Sequence, residues 1–395
     1  MADLRSHYDV VIIGGGPAGA ATAIRLRQKS RLKVLIVEAG FYNETRIGES
    51  VPPDTRSVLE TLGLWNDFLS DQHAPCLGSC SSWGSDDLGF NDFLVNPHGS
   101  GWHLNRRKFD DTLLRVLTKS GADIRMGTRF VDTADLAEAD SQKLAHERSS
   151  LRDALAGLAP EKWPWVHLRL KTESREQTVA CRYVIDASGM RAVYSRRLKI
   201  RRRYLRRFTF LQGTFEPKSR ETVTQLTLLE AVRNGWWYLA GLPDHNVVVA
   251  FATNAATLKR DKLTVPDHWL RALAETTYLA PTLSGYRFLP DRFSVHPSLS
   301  FLLEQSGGAQ WLAVGDAMAC YDPISSQGIY KALTSAIAAA DAVCGQFSGS
   351  RDQLVHYDER RRCEFFDYQS VRQFFYGQEN RWPEEPFWRE QQVRE

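Results

Sequence analysis

Four glycines within six residues mark the first place where this chain could do chemistry. Gly14-Gly15-Gly16-Pro17-Ala18-Gly19 spells G-x-G-x-x-G, a spacing in which Gly14 serves a tight turn, Gly16 lets backbone N–H groups approach a pyrophosphate, and Gly19 allows close helix-to-strand packing. Pro17 and Ala18 fall where a helix would begin, so an anion held there would meet a helix N-terminus. Glu38 lies 19 residues beyond Gly19 and is followed by Ala39. A carboxylate at that point can accept a hydrogen bond from a ribose hydroxyl and favours an unphosphorylated ribose. Further candidates are Glu49 and Ser50 after Gly48, His103 and Arg106 in Gly101-Trp102-His103-Leu104-Asn105-Arg106, Asp186 before Ser188-Gly189, and Asp316 after Gly315.

The elements needed to position the glycine loop are present. Tyr8–Ile13 is a continuous apolar run of the kind buried on both faces of a parallel sheet, Ala20–Leu26 carries helix-forming residues, and Lys33–Val37 reads as a second strand ending at Glu38. A lone G-x-G-x-x-G also fits an ordinary glycine-rich turn; strand, helix, second strand and terminal acid together point to a dinucleotide, either FAD or NAD. No second fingerprint occurs, so a nicotinamide site would be irregular or the reducing equivalents come from elsewhere. Farther along, Phe109–Ser120 is expected to be helical, Ile124–Phe130 a strand and Ala134–Leu158 a helix, followed by strands through Ile185. Phe208–Thr253 holds strand-like runs, among them Thr222–Leu229 and Val247–Ala252, punctuated by Asn234-Gly235 and Pro243-Asp244. From Asp352 the chain reads as mainly helical, with an aromatic tail.

Composition sets the frame. With 395 residues, 43% apolar, and 50 Lys plus Arg against 47 Asp plus Glu, the chain is globular and long enough for two or three lobes. A net charge of +3 gives no ground for a nucleic-acid partner. The six cysteines are dispersed, and the close pair Cys76 and Cys80 has neither a second pair nor a histidine at zinc spacing. No metal site is expected, and free thiols in a reducing cytoplasm are. The N-terminus lacks the pattern of a signal peptide and no stretch approaches the roughly 20 apolar residues that span a bilayer, so a cytoplasmic protein without membrane attachment is expected.

Three distant segments, Arg46-Ile-Gly48-Glu49-Ser50-Val-Pro-Pro53, Tyr183-Val-Ile-Asp186-Ala-Ser-Gly189 and Trp311-Leu-Ala-Val-Gly315-Asp316-Ala317, occur in an order that resembles the aromatic-hydroxylase and flavin-dependent-halogenase superfamily of FAD enzymes. The likeness spans nearly the whole chain. It implies an α/β, overall α+β, architecture: a Rossmann-like FAD-binding domain of the aromatic-hydroxylase type from 1–80, 100–190 and 302–345, an antiparallel β-sheet substrate domain from 81–99 and 191–301, and a helical C-terminal region, 346–395. It further implies that Asp316 faces the ribityl chain, that Arg106 contacts the cofactor, and that Pro323, Gln327, Gly328 and Ile329 form the loop and helix start beside the isoalloxazine ring. Taken singly, Asp316 also fits a helix N-cap, Asp186 a turn residue and Arg106 a solvated surface charge; their joint order carries the resemblance.

In that superfamily reduced flavin and oxygen give a hydroperoxide whose distal oxygen goes to an electron-rich ring or to halide. The halogenases use a lysine downstream of Gly-Glu and a Gly-Trp-x-Trp-x-Ile-Pro segment. Here no lysine lies between Val34 and Arg107, in a chain with 12 lysines, and Gly235-Trp236-Trp237-Tyr238-Leu239-Ala240-Gly241 departs from the second signature. The segments around Trp83, Asp92–Pro97, Gly101–Leu104, Glu379–Pro383 and Pro386–Trp388 resemble instead the flavoproteins that help mature tryptophylquinone enzymes. That resemblance implies hydroxylation of a tryptophan in a partner quinoenzyme precursor polypeptide, using molecular oxygen and a reductant or NAD(P)H-dependent flavin reductase. The alternatives are a hydroxylase or halogenase of a small aromatic metabolite, and a flavin-retaining chaperone for the precursor. His103, Glu49, Trp236 and Tyr238 are the candidate catalytic residues: His103 for proton exchange near neutrality, or else a structural histidine; Glu49 near the flavin, or else a carboxylate at a helix start. Trp102, Trp236, Trp237 and Tyr238 are expected to shape a pocket, and Trp83, Trp163, Trp165 and Trp311 to fill core. Arg191–Arg207 holds eight Arg and one Lys, either a solvated face or a docking face for an acidic partner.

Overall fold

The computed structural model describes residues 7–42, 48–133, 163–219, 224–308, 310–350 and 352–392. The strand His7–Ile13, apolar on both sides, lies inside a parallel array, flanked by Val34–Val37 and by Glu176–Asp186. Asp123–Arg125 extends the array on one side and Trp311–Ala313 on the other, both parallel. Burial on both faces is what selects the unbroken Val/Ile/Leu runs. The helix Pro17–Lys29 is alanine-rich and packs closely on the helix Gly328–Phe347. This is a Rossmann-like layer. The expected single strand Ile124–Phe130 is instead two, Asp123–Arg125 and Arg129–Thr133, because Gly127 at φ +61° turns the chain between them. The second of these pairs with Val166–Lys171. The helix expected over Ala134–Leu158, and Arg46 of the Gly-Glu segment, lie outside the described residues.

A second sheet runs in the order Ala319–Cys320, Tyr286–Leu303, Arg202–Pro217, Val247–Thr253, Gly235–Gly241, Leu226–Val232, Gly78–Ser82, Gly89–Asp92. All its pairings are antiparallel except that of Leu226–Val232 with Gly78–Ser82. One face of this sheet, with Leu211, Trp237, Leu239 and Phe251, packs under Trp269 of the helix Pro266–Ala274. The opposite face, with Phe208, Phe210, Trp236 and Tyr238, meets Tyr376, Phe387 and Trp388 of the C-terminal helices Asp352–Gln378 and Pro386–Gln392. A small third sheet joins Ser50–Val51, Gly101–His103 and Ala74–Cys76. Since Trp311–Ala313 belongs to the first sheet and Ala319–Cys320 to the second, residues 314–318 carry the chain from one to the other, which sets Asp316 at their junction.

Candidate active site

The glycine loop divides into positions closed by protein and positions left open. A Cβ on Gly14, at φ +107°, would stand 2.3 Å from the Ala187 carbonyl oxygen, and one on Gly19 would stand 1.9 Å from that of Gly14. Gly16 is the reverse: a Cβ there meets no atom within 4 Å, just ahead of the helix that starts at Pro17. The same openness recurs over Gly189 and Gly328. Gly16 and Gly328 stand at helix starts and Gly189 opens a short turn, so at all three the backbone is left approachable. Glu38 accepts the Gly15 N–H at 2.6 Å and the Gly40 N–H at 2.8 Å, so it holds the loop in shape. Ala39 beside it is exposed. Tyr42 was not legible as a site residue; its hydroxyl donates to the Gly15 carbonyl.

At the junction, the Asp316 carboxylate is partly exposed and accepts the Lys331 ammonium at 2.6 Å. Arg106 opens the helix Arg106–Lys119, reaches back to the Gly48 carbonyl at 3.4 Å and pairs with Asp110 at 3.3 Å, so it clamps the Gly48-Glu49-Ser50 segment. Pro323–Ser325 forms one short helical turn, Ser326 sits at φ +50°, and the long helix begins at Gly328, with Gln327 exposed ahead of it and Ile329 buried behind. Asp186 requires a correction. It is fully buried and both oxygens are engaged, one by the N–H and hydroxyl of Ser188, the other by those of Ser195. It organises the turn that presents Gly189 and has no exposed face for a cofactor.

Strand pairing sets Ser50 opposite His103. The Ser50 hydroxyl lies 2.9 Å from His103 Nδ1 and 2.7 Å from the Tyr238 hydroxyl, which links the small sheet to the second sheet. Next to it, Gln212 donates through Nε2 to Glu49 at 3.3 Å. Burial raises the Glu49 carboxyl, against an opposing pull from Arg106. Gln212 was missed, although its signal was there: an amide in the aromatic-rich run Phe208–Phe215. Two buried atoms of this cluster, Gln212 Oε1 and His103 Nε2, have no hydrogen-bond partner, a state that costs about 1–3 kcal/mol each unless a ligand fills it.

The expectation that His103 exchanges a proton near neutrality is not met: burial lowers its pKa to about 4, so the imidazole is neutral at pH 7. His73 is likewise lowered to about 4, by burial and then by Lys108. Both folded pKa values lie below the unfolded value near 6.5, so between these limits the unfolded chain binds more protons. The stability these residues contribute is complete above pH 6.5 and is lost as pH falls toward 4, at up to about 1.4 kcal/mol per pH unit per histidine. Denaturant titrations at stepped pH should show this fall, and His103→Asn should reduce its slope by about one proton; an unchanged slope would contradict the assignment.

Four aromatic expectations also change. Trp236 is fully buried among Phe208, Phe210 and the C-terminal helices, with Nε1 donating to the Tyr376 hydroxyl at 2.9 Å. It builds the wall behind the site and leaves no face for a reacting ring. Trp237 points to the other side of the sheet and stacks on Phe251 at 4.4 Å, as the two-residue alternation of a strand requires. Trp102 packs edge-on against Phe68 and Trp65. Of the four, Tyr238 reaches the polar cluster. Trp163 and Trp311 are buried, Trp83 is half-buried, and Trp165 is exposed, contrary to its expected place in the core.

A Rossmann-like layer with an open glycine loop, joined through Asp316 to an antiparallel sheet that carries the polar cluster, defines the class: this is an FAD-dependent oxidoreductase, with the fold of the flavin-dependent halogenases. The profile of the pyridine nucleotide-disulphide oxidoreductase family matches residues 8–195. The chain is 28% identical over 382 residues to the FAD-dependent oxidoreductase LodB of Marinomonas mediterranea, covering 96% of each. In three dimensions it is similar to the myxobacterial chondrochloren halogenase CndH, with a TM-score of 0.83 at 22% identity over 99% of this chain and 87% of that one. It is also similar to QhpG, described as a peptidyl tryptophan dihydroxylase essential for tryptophylquinone cofactor biogenesis, with a TM-score of 0.67 at 19% identity over 98% of this chain and 79% of that one. The six cysteines are all unpaired. Among the described residues no cluster of metal-ligating side chains occurs and no helix is long and apolar enough to cross a membrane.

Proposed function

We propose that this protein is an FAD-dependent monooxygenase that hydroxylates a tryptophan side chain of a partner polypeptide, a step toward a tryptophylquinone cofactor. The observation that carries this reading over halogenation is the state of the ammonium groups. No lysine lies between Val34 and Arg107, and Lys331, at the Asp316 junction, is buried and held by Asp316 and by the Ala319 carbonyl. No ammonium among these is left to carry a hypohalous species. The likeness to QhpG is compatible with the reading.

When bound and reduced, FAD would supply an electrophilic oxygen from O2; one oxygen atom goes to the indole and the other to water, with two electrons from an external reductant or NAD(P)H-dependent flavin reductase. The chain's own residues bind and orient. Indole carries one N–H donor, and Gln212 Oε1 is a buried acceptor without a partner. Its orientation follows from the bond of Nε2 to Glu49. Neutral His103 presents an unpartnered Nε2 nearby, with Nδ1 kept in place by Ser50 and, through it, Tyr238, so it can hydrogen-bond and position the ring. His103→Ala should misplace the ring, slow product formation by about a hundredfold and leave flavin content near wild type; equal turnover would return His103 to a structural role.

The deciding experiment incubates reduced protein with oxygen and, as the precursor, a tryptophan-containing polypeptide from its genome neighbourhood, then maps mass changes by tandem mass spectrometry. Gain of one or two oxygen atoms on tryptophan supports the proposal. Halogen incorporation when halide is added, or oxygen addition only to a free aromatic compound, would replace it with the small-metabolite reading. A stable complex without oxygen consumption would replace it with the chaperone reading.

A further inference from the structure

The basic run expected to be either solvated or a docking face has a structural property that its sequence does not show. Arg202–Phe208 pairs on one edge with Ser298–Leu303, but pairing with the neighbour on its other edge begins only at Thr209, opposite Thr253. Among the described residues no strand takes the second edge of Arg202–Phe208. The exposed side chains along this half-paired stretch are Arg203, Tyr204 and Arg207, with the Arg207 guanidinium 4.1 Å over the Tyr204 ring. Arg197 and Arg201 pair with Asp132 and Glu304, whereas Arg203 and Arg207 make no ion pair among the described residues.

We propose that this open edge binds an extended, acidic segment of a partner polypeptide, which adds to the second sheet as a further strand beside Arg202–Arg207. An open edge offers alternating N–H and C=O groups that only another peptide backbone can fill in register. The arginines choose among peptides: two copies of this chain set edge to edge would bring arginine onto arginine, and a basic segment would be repelled, while glutamates at alternate positions meet opposite charge. The bulge between Tyr204 and Arg206 further restricts unselective pairing. The edge also lies on the route to the chemistry, since the same strand continues through Phe208 and Phe210 to Gln212. From Arg207 to Gln212 is five residues, about 17 Å at ~3.4 Å per residue. A segment docked on the edge could place a residue a few positions along at the polar cluster. The inference rests on the reading of the substrate as a polypeptide, and it assigns where and how that polypeptide is held.

The test uses the FAD-loaded protein and a fluorescein-labelled peptide of alternating Glu and Thr, with a Lys-Thr peptide and oligo-dT as controls. At low ionic strength the acidic peptide should bind at least about tenfold more tightly than the basic one and slow hydrogen exchange at the amides of 203–208. Arg203→Glu combined with Arg207→Glu should weaken it at least about tenfold while FAD content is unchanged. Equal affinity in the double variant, or binding without protection of those amides, would overturn the proposal. Oligo-dT binding as tightly and displacing the peptide would reassign the surface to nucleic acid. The two readings fail separately. If the precursor's tryptophan gains no oxygen while the acidic peptide binds and protects 203–208, the hydroxylase reading falls and the docking edge stands. If the double variant hydroxylates the precursor with unchanged KM, the edge falls and the hydroxylase stands.

Discussion

Gly16→Val is expected to give a folded protein that no longer holds FAD, while Gly14→Val, two residues earlier in the same motif, is expected not to fold. The difference lies in what each new side chain would meet. At Gly16 nothing stands within 4 Å of a Cβ, so the valine methyl groups are accommodated and fill the space in front of the helix N-terminus, where backbone N–H groups would face a pyrophosphate. FAD affinity should fall by at least a hundredfold, about 2.7 kcal/mol, with little change in the denaturation midpoint of the apoprotein. At Gly14 the backbone is at φ +107° and the Cβ would be driven to 2.3 Å from the Ala187 carbonyl, a backbone contact that cannot yield cheaply. A loss of about 4 kcal/mol or more is expected, seen as aggregation or loss of soluble expression. Full FAD occupancy in Gly16→Val would remove the phosphate site from the glycine loop.

The second large effect is expected at Arg372→Leu. Asp322 precedes the Pro323–Gly328 loop with a side chain that is 0% exposed, and Arg372 Nε donates to its Oδ2 at 3.0 Å from the helix Asp352–Gln378. The same oxygen accepts the Tyr376 hydroxyl at 2.9 Å, which in turn accepts Trp236 Nε1, while the other oxygen caps the N–H of Ile324. Arg372 also reaches Gln391 in the last helix. Removing the guanidinium leaves a buried carboxylate without its cation, which costs about 3–5 kcal/mol. Arg372→Leu should therefore lower the denaturation midpoint sharply, and adding Asp322→Asn should recover part of the loss because the amide keeps the cap without the charge. If the double variant were no more stable than the single one, the buried charge would not be the cause. FAD content should fall along with stability in Arg372→Leu, since the loop set by Asp322 precedes the helix start at Gly328.

How much could be read before folding is visible residue by residue. The βαβ unit was legible because its rules are local: an apolar run, a glycine turn, a helix, a second run and a terminal acid, all within the first 38 residues. The second sheet was legible as strand-like runs, yet neither its strand order nor its faces were. Trp236 and Trp237 cannot both face one pocket, because adjacent residues of a strand point to opposite faces, and that much is legible in the sequence. That Trp236 would be sealed by Tyr376 and Trp388 is not, because those residues come from a helix region some 140 positions away. His103 was read from an unperturbed imidazole pKa; its displacement to about 4 is set by burial, which no local pattern reports.

What the sequence by itself determined is the chemistry that depends on neighbours along the chain: the glycine loop, Glu38 at the end of its strand, the Gly-Asp turn at Asp316 and the density of arginine between Arg191 and Arg207. What only the tertiary structure decided is the chemistry that depends on partners across it. Glu49 meets Gln212 over a separation of 163 residues, Ser50 meets Tyr238 over 188, and Asp322 meets Arg372 over 50. Among the described residues, the second edge of Arg202–Phe208 is left without a strand because pairing with Val247–Thr253 begins only at Thr209. Turn geometry and helix starts are fixed by steric limits within a few residues. Burial, charge state and pairing instead arise when distant segments exclude water from one another.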